Sequence, residues 1–196
     1  MSGDIKTILV LSSYSSGSTA VTGFLEQCGA YACPPLTLTN DPLTPSAKEP
    51  VKYRNILVSC INEFLLRKEK PDSVFLEFFV KWHPIQSSKA SEAGSKAIVL
   101  KHPLQGFFQD EIFKVCDPKL VLVHRPFNNI EASRLRRQWH PTYGKAGAQV
   151  IYNSLYSNST KAQNPIFLFR MSRFSRIQKC KMICCLVVPS IQRQYN

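Results

Sequence analysis

The chain has 196 residues, room for one α/β domain with a substantial core and not for two. Its formal charge is +12, yet residues 1–131 hold 14 Lys/Arg against 13 Asp/Glu, while residues 132–196 hold 11 Lys/Arg and no carboxylate. Charge confined to one end argues against a nucleic-acid-binding body, and the apolar run 182–188 falls far short of the roughly 20 residues that cross a bilayer. The seven cysteines are odd in number and include no C-x-x-C pair or Cys/His group at zinc spacing, which suits a reducing, cytoplasmic-type chain without a metal. The first four lie in or beside apolar runs, where thiols are expected to be inert core residues. No signal peptide is expected ahead of the first strand.

Residues 8–11 are an apolar run of strand length, followed by the small residues Ser12-Ser13-Tyr14-Ser15-Ser16-Gly17-Ser18-Thr19. Val21, Phe24, Leu25 and Cys28 then recur at i, i+3, i+4 and i+7, a helical period stopped by Gly29. Strand, small-residue loop and helix make an arrangement that cradles phosphates, because N–H groups and the helix dipole face the anion. The loop departs from G-x-x-x-x-G-K-[ST]: Ser12 and Ser18 stand where that motif has Gly and Lys. Taken alone, an anion site and a plain Ser-rich turn fit equally well.

Residues 34–50 form a proline-rich loop, long enough to suggest a binding loop. A helix is expected over 51–68, broken by Lys70-Pro71-Asp72. Residues 74–79 fit either a strand or a short buried helix, and 82–94 read as a Ser- and Lys-rich loop. Strands follow at 97–100 and 120–123, with helices at 106–115 and 128–139, the latter capped by Asn128 or Asn129. A helix over 149–157 and a strand over 165–169 come next; beyond Arg170 no period of 2 or 3.6 survives. Alternating strands and helices imply an α/β fold with a central parallel sheet covered on both faces. The polar turns 12–19, 101–102 and 124–125 all follow strands and should converge at their carboxyl ends, where such sheets bind ligands.

One of those turns carries a resemblance. A strand ends at Arg125-Pro126, and Ser133 follows Arg125 by eight residues on a helix. With the loop Ser15-Ser16-Gly17-Ser18-Thr19 ahead of it, this resembles sulfotransferases that use 3′-phosphoadenosine-5′-phosphosulfate, over roughly residues 5–140. The resemblance implies a three-layer α/β/α, P-loop NTPase-like fold. It implies that Ser15, Ser16, Gly17, Ser18 and Thr19 hold the 5′-phosphosulfate and that Arg125 and Ser133 grip the 3′-phosphate. The family usually has Lys or Arg at the position of Ser15, and Lys101 is the candidate to replace that charge.

Transfer to a hydroxyl or amine needs a base. His102 is the first candidate, beside Lys101, and a strand-end His satisfying a backbone group is the equal alternative. His83 is a second candidate on the 82–94 loop, His124 adjoins the donor site and His140 ends a helix. Arg134, Arg136 and Arg137 extend the phosphate pocket or form a solvated helix face. The expected acceptor is a small molecule or glycan, with no nucleic acid and no membrane span. Competing readings are a P-loop kinase or NTPase, a sulfotransferase fold without turnover, and a basic interaction protein. The domain is expected over 1–169, with 170–196 an atypical, poorly ordered basic segment.

Overall fold

The computed structural model describes residues 5–42, 44–159, 166–170 and 185–187. In chain order the elements are β1 (Lys6–Ser12), α1 (Ser18–Gln27), β2 (Leu36–Leu38), β3 (Ser46–Pro50), α2 (Val51–Cys60), β4 (Ile61–Asn62) and β5 (Arg67–Lys68). There follow α3 (Asp72–Glu92), β6 (Ala97–Lys101), a 3-10 turn (Pro103–Phe108), α4 (Gln109–Phe113), β7 (Lys119–His124) and α5 (Phe127–Arg136). A second 3-10 turn (Pro141–Tyr143), α6 (Lys145–Ser159), β8 (Ile166–Arg170) and β9 (Cys185–Val187) complete them.

The sheet order is β6-β1-β7-β8-β9. The first four strands are parallel and β9 is antiparallel to β8, so the expected three-layer α/β architecture is present. Alternation along the strands sorts two cores. Leu9, Leu11, Ile98, Leu100, Leu120 and Leu122 face the larger one, packed by α2, α3, α6 and the first 3-10 turn. Val10, Val99, Val121 and Val123 face the smaller one, against Val21 and Leu25 of α1. Bulkier side chains thus point where several helices must be reached. Of the cysteines, Cys33 and Cys60 are core residues as expected, but Cys28 is exposed. Cys28 sits just past the last turn of α1.

Several expectations are corrected, and the first is the loop over 34–50, which holds the antiparallel hairpin of β2 and β3. Residues 82–94 are not a loop: α3 runs unbroken through Pro84 to Glu92. Its buried residues Phe75, Phe79, Trp82, His83, Gln86 and Ala90 keep a helical period that polar neighbours hide in the sequence. Helix α2 stops at Cys60 rather than at residue 68, because Asn62 Oδ1 accepts from the N–H groups of Phe64 and Leu65 at 3.1 Å and turns the chain into a hairpin. Helix α5 starts at Phe127 with no side-chain cap; the Pro126 carbonyl accepts from Asn129 and Ile130 instead. The helix expected over 106–115 divides into the 3-10 turn and the short α4. Strand β8 runs through Arg170, across the expected boundary, and β9 lies beside it. The rest of 171–196, with its expected disorder, lies outside the described residues.

Pro84 leaves the Val80 carbonyl without a donor at the i+4 position. Pro84→Ala is expected to stabilise the fold by ~1–3 kcal/mol and raise the melting temperature by a few degrees. Calorimetry showing a lower midpoint would mean that α3 depends on Pro84.

Candidate functional site at the carboxyl ends of the strands

Register places the polar ends of the strands together. Val10 of β1 lies level with Lys101 of β6, and Ser12 lies level with Val123 of β7. The three polar turns therefore meet around the loop between β1 and α1, as the alternation of elements implied.

That loop is bent by two left-handed residues, Ser15 at φ 55° and Gly17 at φ 93°. Gly17 adopts this freely, whereas at Ser15 it costs on the order of 1 kcal/mol. The bend lets α1 start at Ser18 with no side-chain cap and no acidic residue in its first turn. Ser12, Ser16 and Ser18 are buried. The hydroxyls of Ser12, Ser15, Ser16 and Tyr14 have no hydrogen-bond partner among the described residues. Buried hydroxyls ordinarily find partners, so four orphans beside an uncapped helix start suit an oxygen-rich guest.

Arg125 closes the other side. Its Nη1 donates to the Ser15 carbonyl at 2.8 Å and to Ser133 Oγ at 2.9 Å. One guanidinium thus joins the loop to α5, across 110 residues of sequence. Burial and the neighbouring Arg137 and Arg136 lower the pKa of Arg125 below its ordinary value, a sign of crowded positive charge.

Lys101 leaves the end of β6 and reaches the start of α1. Its Nζ donates to Glu49 Oε1 at 2.7 Å, to the Ala47 carbonyl at 3.0 Å and to Thr19 Oγ1 at 3.4 Å. Glu49 is 7 % exposed and Lys101 5 %. Burial alone would raise the pKa of Glu49. The Lys101 ammonium, with His102 and Arg54, reverses this and holds the carboxyl below its ordinary value.

His102 is buried, and its two ring nitrogens face different partners. Nδ1 accepts from the Leu104 N–H at 3.2 Å, capping the 3-10 turn, while Nε2 lies 3.7 Å from Glu49 Oε2. Burial lowers its pKa to about 4, with Lys101 and Arg54 acting in the same direction and Glu49 opposing. The imidazole is therefore neutral at pH 7, with its Nδ1 lone pair engaged by the backbone.

The other histidines stand elsewhere. His83 is on α3, not on a loop, and its Nε2 is 2.8 Å from Thr7 Oγ1. It lines a cavity of about 610 Å³ that includes Thr7, Cys116 and Lys119, at the amino ends of the strands and away from the loop. His124 packs 5.2 Å from the Tyr152 ring, and His140 caps the second 3-10 turn through Nδ1. Arg134 pairs with Glu131 and also donates to the Trp139 carbonyl. Arg137 Nε lies 2.8 Å from Asp41 Oδ2.

Glu49, Asp41, Tyr14 and Tyr143 are the site residues that sequence reasoning missed. The first two lie in the stretch 34–50, which has no period to place them. The signal for Glu49 was weak: one carboxylate next to a proline, with a strand-end lysine elsewhere in need of a partner. Tyr14 stacks edge-on to Tyr143, with centroids 4.6 Å apart. Burial and Glu63 push the pKa of Tyr143 up to about 12.

No family model matches the sequence, and no curated protein matches it. Among the described residues, no helix is long and apolar enough to cross a membrane.

Two expectations follow. Because His102 is held neutral in the fold and its ordinary pKa is 6.5, its contribution to stability is complete above pH 6.5 and is lost as pH falls toward 4. Urea melts at pH 7 and pH 5 should differ by about 2 kcal/mol. His102→Asn, which can still accept from Leu104, should flatten that slope; an unchanged slope would assign it to other groups. Lys101→Met alone should cost ~3–5 kcal/mol by stranding Glu49, and adding Glu49→Gln should restore most of the loss. Equal melts for the single and double variants would deny the coupling.

Proposed function

We propose that the chain transfers a sulfuryl group from 3′-phosphoadenosine-5′-phosphosulfate to a hydroxyl or amine of a small molecule or glycan. The observation that carries this is the Arg125 guanidinium bonded to both the Ser15 carbonyl and Ser133 Oγ. It joins the two stretches whose spacing resembles that family's donor site. The orphan hydroxyls of Ser12, Ser15 and Ser16 supply the polar lining that a phosphosulfate needs, and the bare start of α1 supplies N–H groups and a favourable dipole.

In this reading Ser15, Ser16, Gly17, Ser18 and Thr19 hold the phosphosulfate end, and Arg125 with Ser133 holds the 3′-phosphate. The donor brings the sulfuryl group. The acceptor oxygen or nitrogen bonds to sulfur as the bond from sulfur to the bridging phosphate oxygen breaks, leaving adenosine 3′,5′-bisphosphate. Lys101, 3.4 Å from Thr19 Oγ1, is the cation that balances charge growing on the leaving phosphate. It takes the part that Lys or Arg at position 15 would otherwise fill. The acceptor's proton passes to the Glu49 carboxylate. Glu49 is ionised at pH 7, and its Oε2 faces the imidazole. His102, whose Nδ1 lone pair is engaged by the Leu104 N–H, positions the carboxylate rather than taking the proton itself.

Titration calorimetry with adenosine 3′,5′-bisphosphate tests the reading. Binding is expected to weaken roughly 10- to 100-fold in Arg125→Ala, the range for a lost charged hydrogen bond. Tighter binding of ATP with Mg²⁺ than of the bisphosphate would overturn it in favour of phosphoryl transfer.

A further inference from the structure

The hairpin formed by β2 and β3 is fastened at both ends. Near β3, Lys48 Nζ meets Glu26 Oε2 of α1 at 2.7 Å, and the Ala47 carbonyl accepts from Thr19 at 3.3 Å. At the far end, Asp41 Oδ2 lies 2.8 Å from Arg137 Nε and 4.0 Å from an Arg136 Nη. Arg137 Nη2 also donates to Thr44 Oγ1 at 3.2 Å.

Asp41 is held for this contact. Its N–H donates to Thr39 Oγ1 at 3.2 Å, and its carbonyl accepts from the Thr44 N–H at 2.8 Å. The Asp41 side chain is 12 % exposed. Arg137 is oriented as well, with its guanidinium 4.5 Å from the Trp139 ring centroid. Besides burial, Arg137 and Arg136 lower the pKa of Arg125, and Arg136 lowers that of Arg137, so three guanidiniums share this corner. Asp41 is the carboxylate that the described ion pairs set against Arg136 and Arg137.

We propose that the Arg136–Arg137 pair is an anion subsite occupied by Asp41 in the unliganded chain, and that a phosphate or sulfate ester displaces this carboxylate on binding. A planar guanidinium receives carboxylate, phosphate and sulfate oxygens in the same geometry, so the two anions compete for one place. Asp41 acts as a built-in competitor. It lowers apparent affinity by the fraction of time that it holds the pair. The identity of the ester as the donor's rests on the sulfotransferase reading above; the displacement itself does not.

The test uses the full chain and two probes, inorganic sulfate and adenosine 3′,5′-bisphosphate. Asp41→Asn should bind at least one of them about 3- to 30-fold more tightly than the unaltered chain, and Asp41→Asn with Arg137→Gln should lose that gain. A gain for the bisphosphate alone assigns the subsite to the donor. A gain for inorganic sulfate, with no bisphosphate binding to either form, keeps the subsite and removes the donor reading. Unchanged or weaker binding of both probes to Asp41→Asn overturns the proposal. Deuterium exchange over 36–42 in the unaltered chain needs no variant: saturating anion should increase exchange there, and bound anion without such a rise also overturns the proposal.

Discussion

The ammonium of Lys101 organises the site. It is buried, and burying a charge is costly unless its hydrogen-bonding capacity is met. Three acceptors meet it: Glu49 Oε1, the Ala47 carbonyl and Thr19 Oγ1. They come from β3 and from the first turn of α1, 52, 54 and 82 residues away in sequence. Satisfying one charge therefore fixes three segments at once. The loop between β1 and α1 inherits its position from this network, and so does the carboxylate that faces His102.

Arg125 repeats the logic on the opposite side of the loop, with a backbone carbonyl and a hydroxyl as acceptors. Among the described residues its hydrogen-bond partners are both uncharged, whereas Lys101 is matched by Glu49. The two cations flank the start of α1 and differ in what they offer. Lys101 is held by a carboxylate, and Arg125 by uncharged acceptors. Strand register makes this possible, since Lys101 and Arg125 leave neighbours on either side of β1.

The sequence was most legible where local pattern and burial agree. The apolar runs of β1, β6 and β7 are buried on both faces, so their unbroken hydrophobicity announced a parallel sheet. Arg125 and Ser133 were legible because their spacing is local. Helix α3 was hidden for the opposite reason. Pro84 and the serines beyond it resemble loop chemistry, and only the tertiary packing of Phe79, Trp82, His83 and Ala90 carries the helix through them. Glu49 and Asp41 were illegible because each is defined by a cation far along the chain, Lys101 in one case and Arg137 in the other. His102 was legible in one of its two readings: the strand-end His that satisfies a backbone group is present as its bond from the Leu104 N–H, whereas its neighbour Glu49 was not foreseen.

The position of β1 has a consequence for biosynthesis. It precedes its sheet partners in the chain, yet it lies inside the sheet, and its neighbours are β6, beginning at Ala97, and β7, beginning at Lys119. A nascent chain holds this apolar strand with both hydrogen-bonding edges bare until β6 is made, 85 residues beyond Ser12, and with one edge bare until β7 follows. Long-range parallel pairing of this kind is slow to nucleate and exposed to misassociation. The loop at the end of β1, bonded to Arg125, can take its shape only after β7 has left the ribosome, so it matures late although its residues precede those of β6 and β7.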